Sequence, residues 1–345
     1  MKVLFLTQSC ELGPSSRYRV YQLLPFLQKL GLECEVSPAI DEALYRQLYL
    51  DSPARGSRIA AFSAAWRRRR ADLDRVNDFD AVFVQKGVFP GLYSGFEKKF
   101  AARKPLVFDL DDAIWLPRVG GSRVLQALHR EKAVQDVLRC AAAVIAGNDF
   151  LAEYASQFNK TVTVVPSSVC LENYPQAPGS SVVGWIGSRT TLEYLKPLKP
   201  AFESLGITPR VIASGDPVHL GFNVEFRPWR LDTELNELSQ FGIGIAPLLD
   251  TPWERGKCGV KLLQYMACGI PVIASPVGVN PQIVTHGVTG LLATHLEDWE
   301  PALHSLITDA KLRQRLGAAG RTTIEKRFRV QRAAEAVHSV LRALS

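Results

Sequence analysis

Residues 254–275 read ERGKCGVKLLQYMACGIPVIAS. Gly256 and Gly259 loosen a loop, the apolar spacing predicts a helix that starts near Val260 and ends at Gly269, and Pro271 opens an apolar run that reads as a strand. A glycine-rich loop that opens a helix presents backbone N–H groups and the positive end of the helix dipole, which together bind phosphate. Lys257 and Lys261 add cationic charge beside it, so a diphosphate is the guest this stretch suits. Taken alone, such a loop more often serves close packing, with solvated lysines. A second strand-to-helix turn, GWIGSRTT at 184–191, sets it in context by placing Gly187, Ser188, Arg189 and Thr190 at the end of another apolar run. Arginine matches phosphate oxygens with its planar fork, and Ser and Thr add neutral donors.

The apolar runs on either side have one rhythm. KVLFLT, ECEVSPA, AVFVQKG, PLVFDLDD, AAAVIAGN and TVTVVPS alternate with amphipathic segments, the first of them a helix expected from about Arg17 to Leu30. Such alternation implies a parallel sheet with helices on both faces. SSVCLENYPQAPGSS at 167–181 breaks the pattern, and a second series follows with VVGWIGS, RVIASG, VEFRPW, GIGIAPL and PVIAS. The expected fold class is therefore α/β, with two doubly wound Rossmann-like domains facing a central cleft across a hinge near 167–181. Ligands of open α/β sheets bind beyond the carboxyl ends of the strands, so that cleft is the expected site. The stretch from Ala310 to Leu344 reads as helical and is expected to return to the first domain.

Length and composition agree with two globular domains: 345 residues, 47% hydrophobic and 22% charged. MKVLFLT is too short and too soon interrupted for a signal peptide or a membrane span and reads as a first strand. The six cysteines form no C-x-x-C pair and no histidine stands near them at zinc spacing, which fits a reduced, cytoplasmic setting and no metal site. The net charge of +7 favours an acidic partner. Arg55, Arg58, Arg67, Arg68, Arg69, Arg70 and Arg75 crowd one segment that also carries Ile59, Phe62 and Trp66. This is compatible with peripheral contact with an anionic membrane, at the inner face, and equally with a solvated helix face. No nucleic-acid signature accompanies the cluster, so no nucleic-acid partner is expected.

MACGIPVIASPVGVNPQIVTHGVTGLL at 266–292 resembles the nucleotide-binding segment of family 4 (group 1) glycosyltransferases, which have the GT-B architecture of two Rossmann-like domains. LGPSSRYRVYQLLPFLQKLG at 12–31 is similar to the loop and first helix of the acceptor domain of that family, and VVPSSVCLENY at 164–174 to its hinge entry. The resemblance implies an acceptor-binding domain over 1–170, a nucleotide-sugar-binding domain over 171–327 and a C-terminal helix over 328–345. It also implies transfer of a sugar from a nucleotide-diphosphate donor to a saccharide or lipid-linked acceptor, with retention and with no metal or other cofactor. One departure stands out. The family carries two glutamates separated by seven residues, and here those positions hold Gly256 and Gln264. Gln264 can still hydrogen-bond ribose hydroxyls, and Glu254 is the carboxylate nearest the first position. The donor set is then Gly187, Ser188, Arg189, Thr190, Lys257, Cys258, Gly259, Val260, Lys261 and Gln264.

PLVFDLDDAIW at 105–115 has three readings. A phosphatase of the haloacid dehalogenase type needs D-x-D-G-T on the first strand, and Asp112 and Ala113 stand where Gly and Thr should be. A GT-A metal clamp, Asp109-Leu110-Asp111, would belong in the nucleotide-binding domain, far from where the phosphate-suited loops lie. The preferred reading puts Asp111 and Asp112 in the acceptor domain, orienting an acceptor hydroxyl or taking its proton, or capping the next turn. With Glu254 they form the catalytic candidates. Gly13, Arg17 and Arg19 in GPSSRYR are candidates for an anionic acceptor or the donor phosphate, since cations on a first helical turn are otherwise mildly unfavourable. His286 is expected to shape a turn, and Asn148 and Asp149, at the end of a strand, are candidates to touch ligand, with N-capping of the next helix an equal reading of Asp149. A sugar-nucleotide epimerase on the same fold and a donor-binding subunit without catalysis remain as alternatives, with the phosphatase last.

Overall fold

The apolar runs form strands because both of their faces are covered. In the computed structural model, which describes residues 1–50, 57–89, 95–116 and 131–344, AVFVQ and LVFDL are buried at every position. The chain divides into two compact units. The first comprises Met1–Ser167, Arg255–Cys258 and Val330–Ser345; the second comprises Ser168–Glu254 and Gly259–Arg329.

The first unit holds β1 (Lys2–Ser9), β2 (Glu33–Ile40), β3 (Ala81–Gln85), β4 (Leu106–Leu110), β5 (Ala143–Ala146) and β6 (Val162–Val164). Its sheet runs in the order β2-β1-β3-β4-β5-β6, every pair parallel. The helix expected over 17–30 is instead two short helices, Pro14–Arg19 and Leu24–Lys29, joined by a 3₁₀ turn. Val20 leaves helical geometry at φ −131°, ψ −67°, and Pro25, which has no N–H to bond into a preceding turn, occupies the first turn of the second piece.

The second unit holds β7 (Val183–Gly187), β8 (Arg210–Ala213), β9 (Glu225–Pro228), β10 (Ile243–Ala246), β11 (Val272–Ala274) and β12 (Gly290–Leu292). Its order, β12-β11-β10-β7-β8-β9, is parallel throughout. Numbered within the unit this is 3-2-1-4-5-6 read from the other edge, the dinucleotide-binding order. The order reverses between β7 and β10, so the ligand crevice of such a sheet lies at the carboxyl ends of those two strands.

The C-terminal stretch is two helices, Ala310–Arg327 and Val330–Arg342. The second buries Val330, Ala333, Ala334, Val337 and Leu341, one stripe at helical spacing, and packs on the Leu24–Lys29 helix of the first unit. The first packs on the Val260–Ala267 helix. There Gly317 lies so close to the turn after that helix that a Cβ would stand 2.0 Å from the Gly269 carbonyl oxygen. Among the described residues no helix is long and apolar enough to cross a membrane.

Gly317→Ala forces those two backbones apart, since the obstacle is a main-chain oxygen and not a movable side chain. We expect the variant to lose about 1–3 kcal/mol of stability in denaturant-induced unfolding, whereas Ala318→Gly, one position along the same helix, costs no more than the ~1 kcal/mol of helix propensity.

Candidate functional site

At the carboxyl end of β7 the second unit gathers part of the expected donor set. Gly259 caps the Val260–Ala267 helix with φ +66°, a conformation that L side chains rarely adopt, and a Cβ there would lie 2.4 Å from Ile283 Cδ1. Val260 opens the helix and Lys261 projects from its first turn. The Lys261 ammonium lies 4.0 Å from the centroid of the buried Trp185 ring. It also stands 2.7 Å from where a Cβ on Gly187 would be. Glycine at 187 thus leaves room for the cation beside the strand end. Ser188 follows as the cap of the 3₁₀ segment Arg189–Leu198; its N–H donates to Thr191 Oγ1 and its hydroxyl meets Thr190 Oγ1 at 2.9 Å. Arg189 is exposed, its side chain passing Gly215, where a Cβ would meet it at 2.7 Å. One cation on a helix start and one on a neighbouring turn therefore flank the β7 terminus.

The expected donor residue Gln264 and the catalytic candidate Glu254 have different surroundings. Gln264 is buried and donates from Nε2 to Glu234 Oε1 at 2.7 Å, while the Trp229 indole N–H donates to the other oxygen of Glu234. Glu254 is buried and accepts from the Tyr194 and Thr251 hydroxyls. The partners Glu234, Tyr194 and Trp229 had no signal in the local sequence. All three stand in ordinary-looking segments and meet their partners by tertiary packing.

Lys257 and Cys258, expected beside the donor phosphate, belong to the first unit and meet the acidic stretch after β4. Lys257 Nζ donates to Asp112 Oδ1 at 2.6 Å, and Lys86 Nζ donates to Asp112 Oδ2. Lys86 also lies 3.6 Å from Asp111 Oδ1. Burial alone would raise the Asp112 pKa, but the ammonium groups of Lys257 and Lys86 and their hydrogen bonds hold it far below the usual carboxylate range. A carboxylate so stabilised is a weak base, so Asp112 is poorly suited to the proton-accepting role expected of it. Lys86 was not foreseen. It follows the AVFVQ strand with φ +64°, the one non-glycine residue with positive φ among the described residues. Such strain persists where surrounding contacts over-determine it.

Cys258 is buried, its thiol 3.3 Å from the Asp111 carbonyl oxygen, and burial pushes its pKa up. Gly147 permits this approach, because a Cβ there would lie 2.4 Å from the sulfur. Asn148 donates to the Lys257 carbonyl at 3.0 Å and accepts from Leu151 N–H, so Asn148 and not Asp149 caps the Asp149–Ser156 helix.

On the N-terminal loop, a Cβ on Gly13 would lie 1.9 Å from Ser9 Oγ, so the residue serves a tight turn. Arg17 is buried with its guanidinium over the Tyr18 ring. Arg19, read as a ligand contact, is committed elsewhere. Its Nε lies 3.2 and 3.1 Å from the two Asp109 carboxylate oxygens, its terminal nitrogens bond Asp109 Oδ1 and the Val165 carbonyl, and both side chains are buried. Burial pushes the Asp109 pKa up and Arg19 opposes it. Asp109 is therefore a core ion-pair member, not an exposed nucleophile or metal ligand. His286 accepts the Leu292 N–H on Nδ1 and shapes its turn. Among the described residues no group of three His, Cys, Asp or Glu side chains could hold a metal ion.

Residues 208–309 match the family model of Glycosyl transferases group 1. That span contains the 266–292 segment on which the family resemblance rests. Over 64 residues the chain is 41% identical to a D-inositol 3-phosphate glycosyltransferase from Thermobifida fusca, covering 18% of this chain and 15% of that protein. Over 81 residues it is 32% identical to an N-acetyl-alpha-D-glucosaminyl L-malate synthase from Bacillus anthracis, covering 23% and 21%. The chain thus spans about a fifth or less of the length of these curated relatives. The fold extends further. HepE from Anabaena, solved with UDP and glucose, superimposes with a TM-score of 0.73 over 100% of both chains at 18% identity. A sucrose-phosphate synthase from Thermosynechococcus elongatus gives 0.73 over 99% and 98% at 16%. The α/β reading with two doubly wound sheets in the GT-B class holds.

Because the Asp112 pKa is lowered on folding, the unfolded chain binds more protons between the two pKa values, and stability rises with pH across that window. The contribution is complete above the unfolded value, 3.8, and fades as pH falls through the folded one. Asp112→Asn should therefore be less stable than wild type at pH 7 in urea unfolding, with the gap narrowing below about pH 4. A gap that stays constant down to pH 3 contradicts the ion-pair assignment.

Proposed function

We propose that this protein is a glycosyltransferase that moves a sugar from a nucleotide-diphosphate donor to an acceptor hydroxyl, with retention and without metal, in polysaccharide or glycan assembly. The observation that carries the reading is the Lys261 ammonium beside Gly187 at the β7 terminus, on a helix start that only glycine at 259 accommodates. There the helix dipole, Lys261 and Arg189 would stabilise the diphosphate as negative charge grows on it and the sugar becomes oxocarbenium-like. The two cations supply the charge that a divalent ion would otherwise bring to phosphate. The UDP and UDP-glucose in the HepE structures make a uridine diphosphate hexose the first donor to try.

The departure at 264 is compatible with this role. Glu234 fixes the Gln264 amide through Nε2, which leaves Oε1 to accept from a ribose hydroxyl. Glu254, held by two hydroxyl donors, is the carboxylate that we assign to the donor sugar. On the acceptor side we assign Asp111 to the acceptor hydroxyl, with a saccharide or lipid-linked acceptor. Asp112 and Lys257 instead hold the loop that leads to Gly259, and Cys258 packs beneath it.

Thermal stabilisation by UDP, GDP, ADP and TDP, each with and without EDTA, tests the reading. One diphosphate should stabilise the wild type in EDTA, and Lys261→Ala should weaken it by about tenfold or more, the worth of a charge-assisted hydrogen bond. Asp111→Asn should leave diphosphate binding intact while lowering transfer. Binding that requires magnesium, or that ignores Lys261→Ala, contradicts the assignment. Binding without transfer or hydrolysis of any nucleotide sugar would favour a donor-binding subunit.

A further inference from the structure

The arginine-rich segment is resolved by the structure into buried and exposed parts. Arg55 lies outside the described residues, as does the side chain of Arg58. The rest belong to the helix Ser57–Asp74 and its end, and their roles differ. Arg69 is fully buried and donates to the carbonyls of Thr7, Ser37 and Val88 while pairing with Asp72. Arg68 bonds the Pro38 carbonyl and Asp41, and Arg75 pairs with Glu35 and Asp72. These three tie the helix to the unit.

The outward face has the opposite character. Ile59, Phe62 and Trp66 are exposed by 77%, 42% and 41%, and Arg70 continues their line one turn further on, with exposed Arg67 alongside. The helix thus buries Arg69 beside Ala61, Ala65 and Leu73 while Ile59 and part of Phe62 and Trp66 stay open on its other side. Phe62 and Trp66 each turn one side to the buried Phe89 ring and leave the other open, so that with Ile59 a row of three apolar side chains stays partly in water, where its further burial is favourable. Trp66 is also held rigidly, stacked on Phe89 and edge-on to Phe96 at 4.8 Å. Lys99 places its ammonium over that same Phe96 ring. Among the described residues of this helix beyond position 58, Asp74 at the last position is the exposed acidic side chain.

We propose that this face docks the protein onto an anionic lipid surface, with Ile59, Phe62 and Trp66 entering the headgroup boundary and Arg67, Arg70 and Lys99 meeting lipid phosphates. An aromatic-aliphatic row bordered by arginine is the composition of helices that lie in the interface plane. Charge decides the occupant: two copies of a +7 chain meeting through this face would set arginines against arginines, whereas an anionic surface attracts each basic residue. The inference rests on residues of the first unit and not on the donor site of the second, and stands whether or not that reading holds.

The test is co-sedimentation of the full chain with phosphatidylcholine vesicles and with vesicles of phosphatidylcholine and phosphatidylglycerol in equal parts. Wild type should partition onto the anionic vesicles and not the neutral ones. Arg67→Ser with Arg70→Ser should weaken partitioning by about 25-fold, roughly fivefold per basic residue. Ile59→Ser should weaken it by about tenfold. Both variants alter exposed side chains and should keep the wild-type melting temperature. Absence of binding to anionic vesicles overturns the proposal. So does binding that survives Ile59→Ser unchanged and is matched by heparin, which marks a polyanion site, or a wild-type dimer that Ile59→Ser dissociates, which marks a second copy as the occupant.

Discussion

Asp112 is held between two ammonium groups, and that ion triad is the constraint around which the end of β4 and the turn after it are arranged. Lys86 reaches it from the end of β3 at the cost of a left-handed backbone, and Lys257 reaches it from a segment 145 residues further along the chain. With Lys257 in place, its carbonyl accepts from Asn148 and Cys258 fills the space that glycine at 147 leaves open. The loop is therefore fixed by charge at one residue and by close packing at the next. Gly259 follows immediately, where the helix bearing Lys261 begins.

The buried charges hold the fold. Arg19 and Asp109 neutralise one another within the core, and Arg69 and Asp72 do the same between β2 and the Ser57–Asp74 helix. Removing one partner of such a pair strands the other in a low dielectric, which costs several times what the intact pair contributes. Lys261 and Arg189, by contrast, are not buried. They sit at the strand terminus where the second sheet reverses its order, one over an indole face and one exposed.

Much of this was legible in the sequence because it is local. The parallel strands announce themselves as apolar runs, and the strand-to-helix turns as breaks at glycine. The family resemblance at 266–292 is a property of consecutive residues. The failures share a cause. Lys257 and Cys258 lie within the glycine loop in sequence but take their partners from β4 and its following turn, and nothing in their neighbourhood encodes that pairing. Arg19 looked like an exposed cation on a first helical turn until Asp109, 90 residues away, supplied its counter-charge. The single helix expected over 17–30 failed for a local reason that was visible, Pro25. The arginine cluster was ambiguous because its described members divide by position into anchors, Arg68, Arg69 and Arg75, and the outward Arg67 and Arg70.

Hydrogen exchange of the backbone amides, followed by mass spectrometry with and without saturating UDP in EDTA, bears most directly on the central claim that the second unit takes a diphosphate at the β7 terminus. The account predicts slowed exchange in peptides covering Gly187–Thr191 and Gly259–Leu262, and loss of that slowing in Lys261→Ala. Protection confined to the Asp109–Trp115 stretch, or unchanged in the variant, would contradict it.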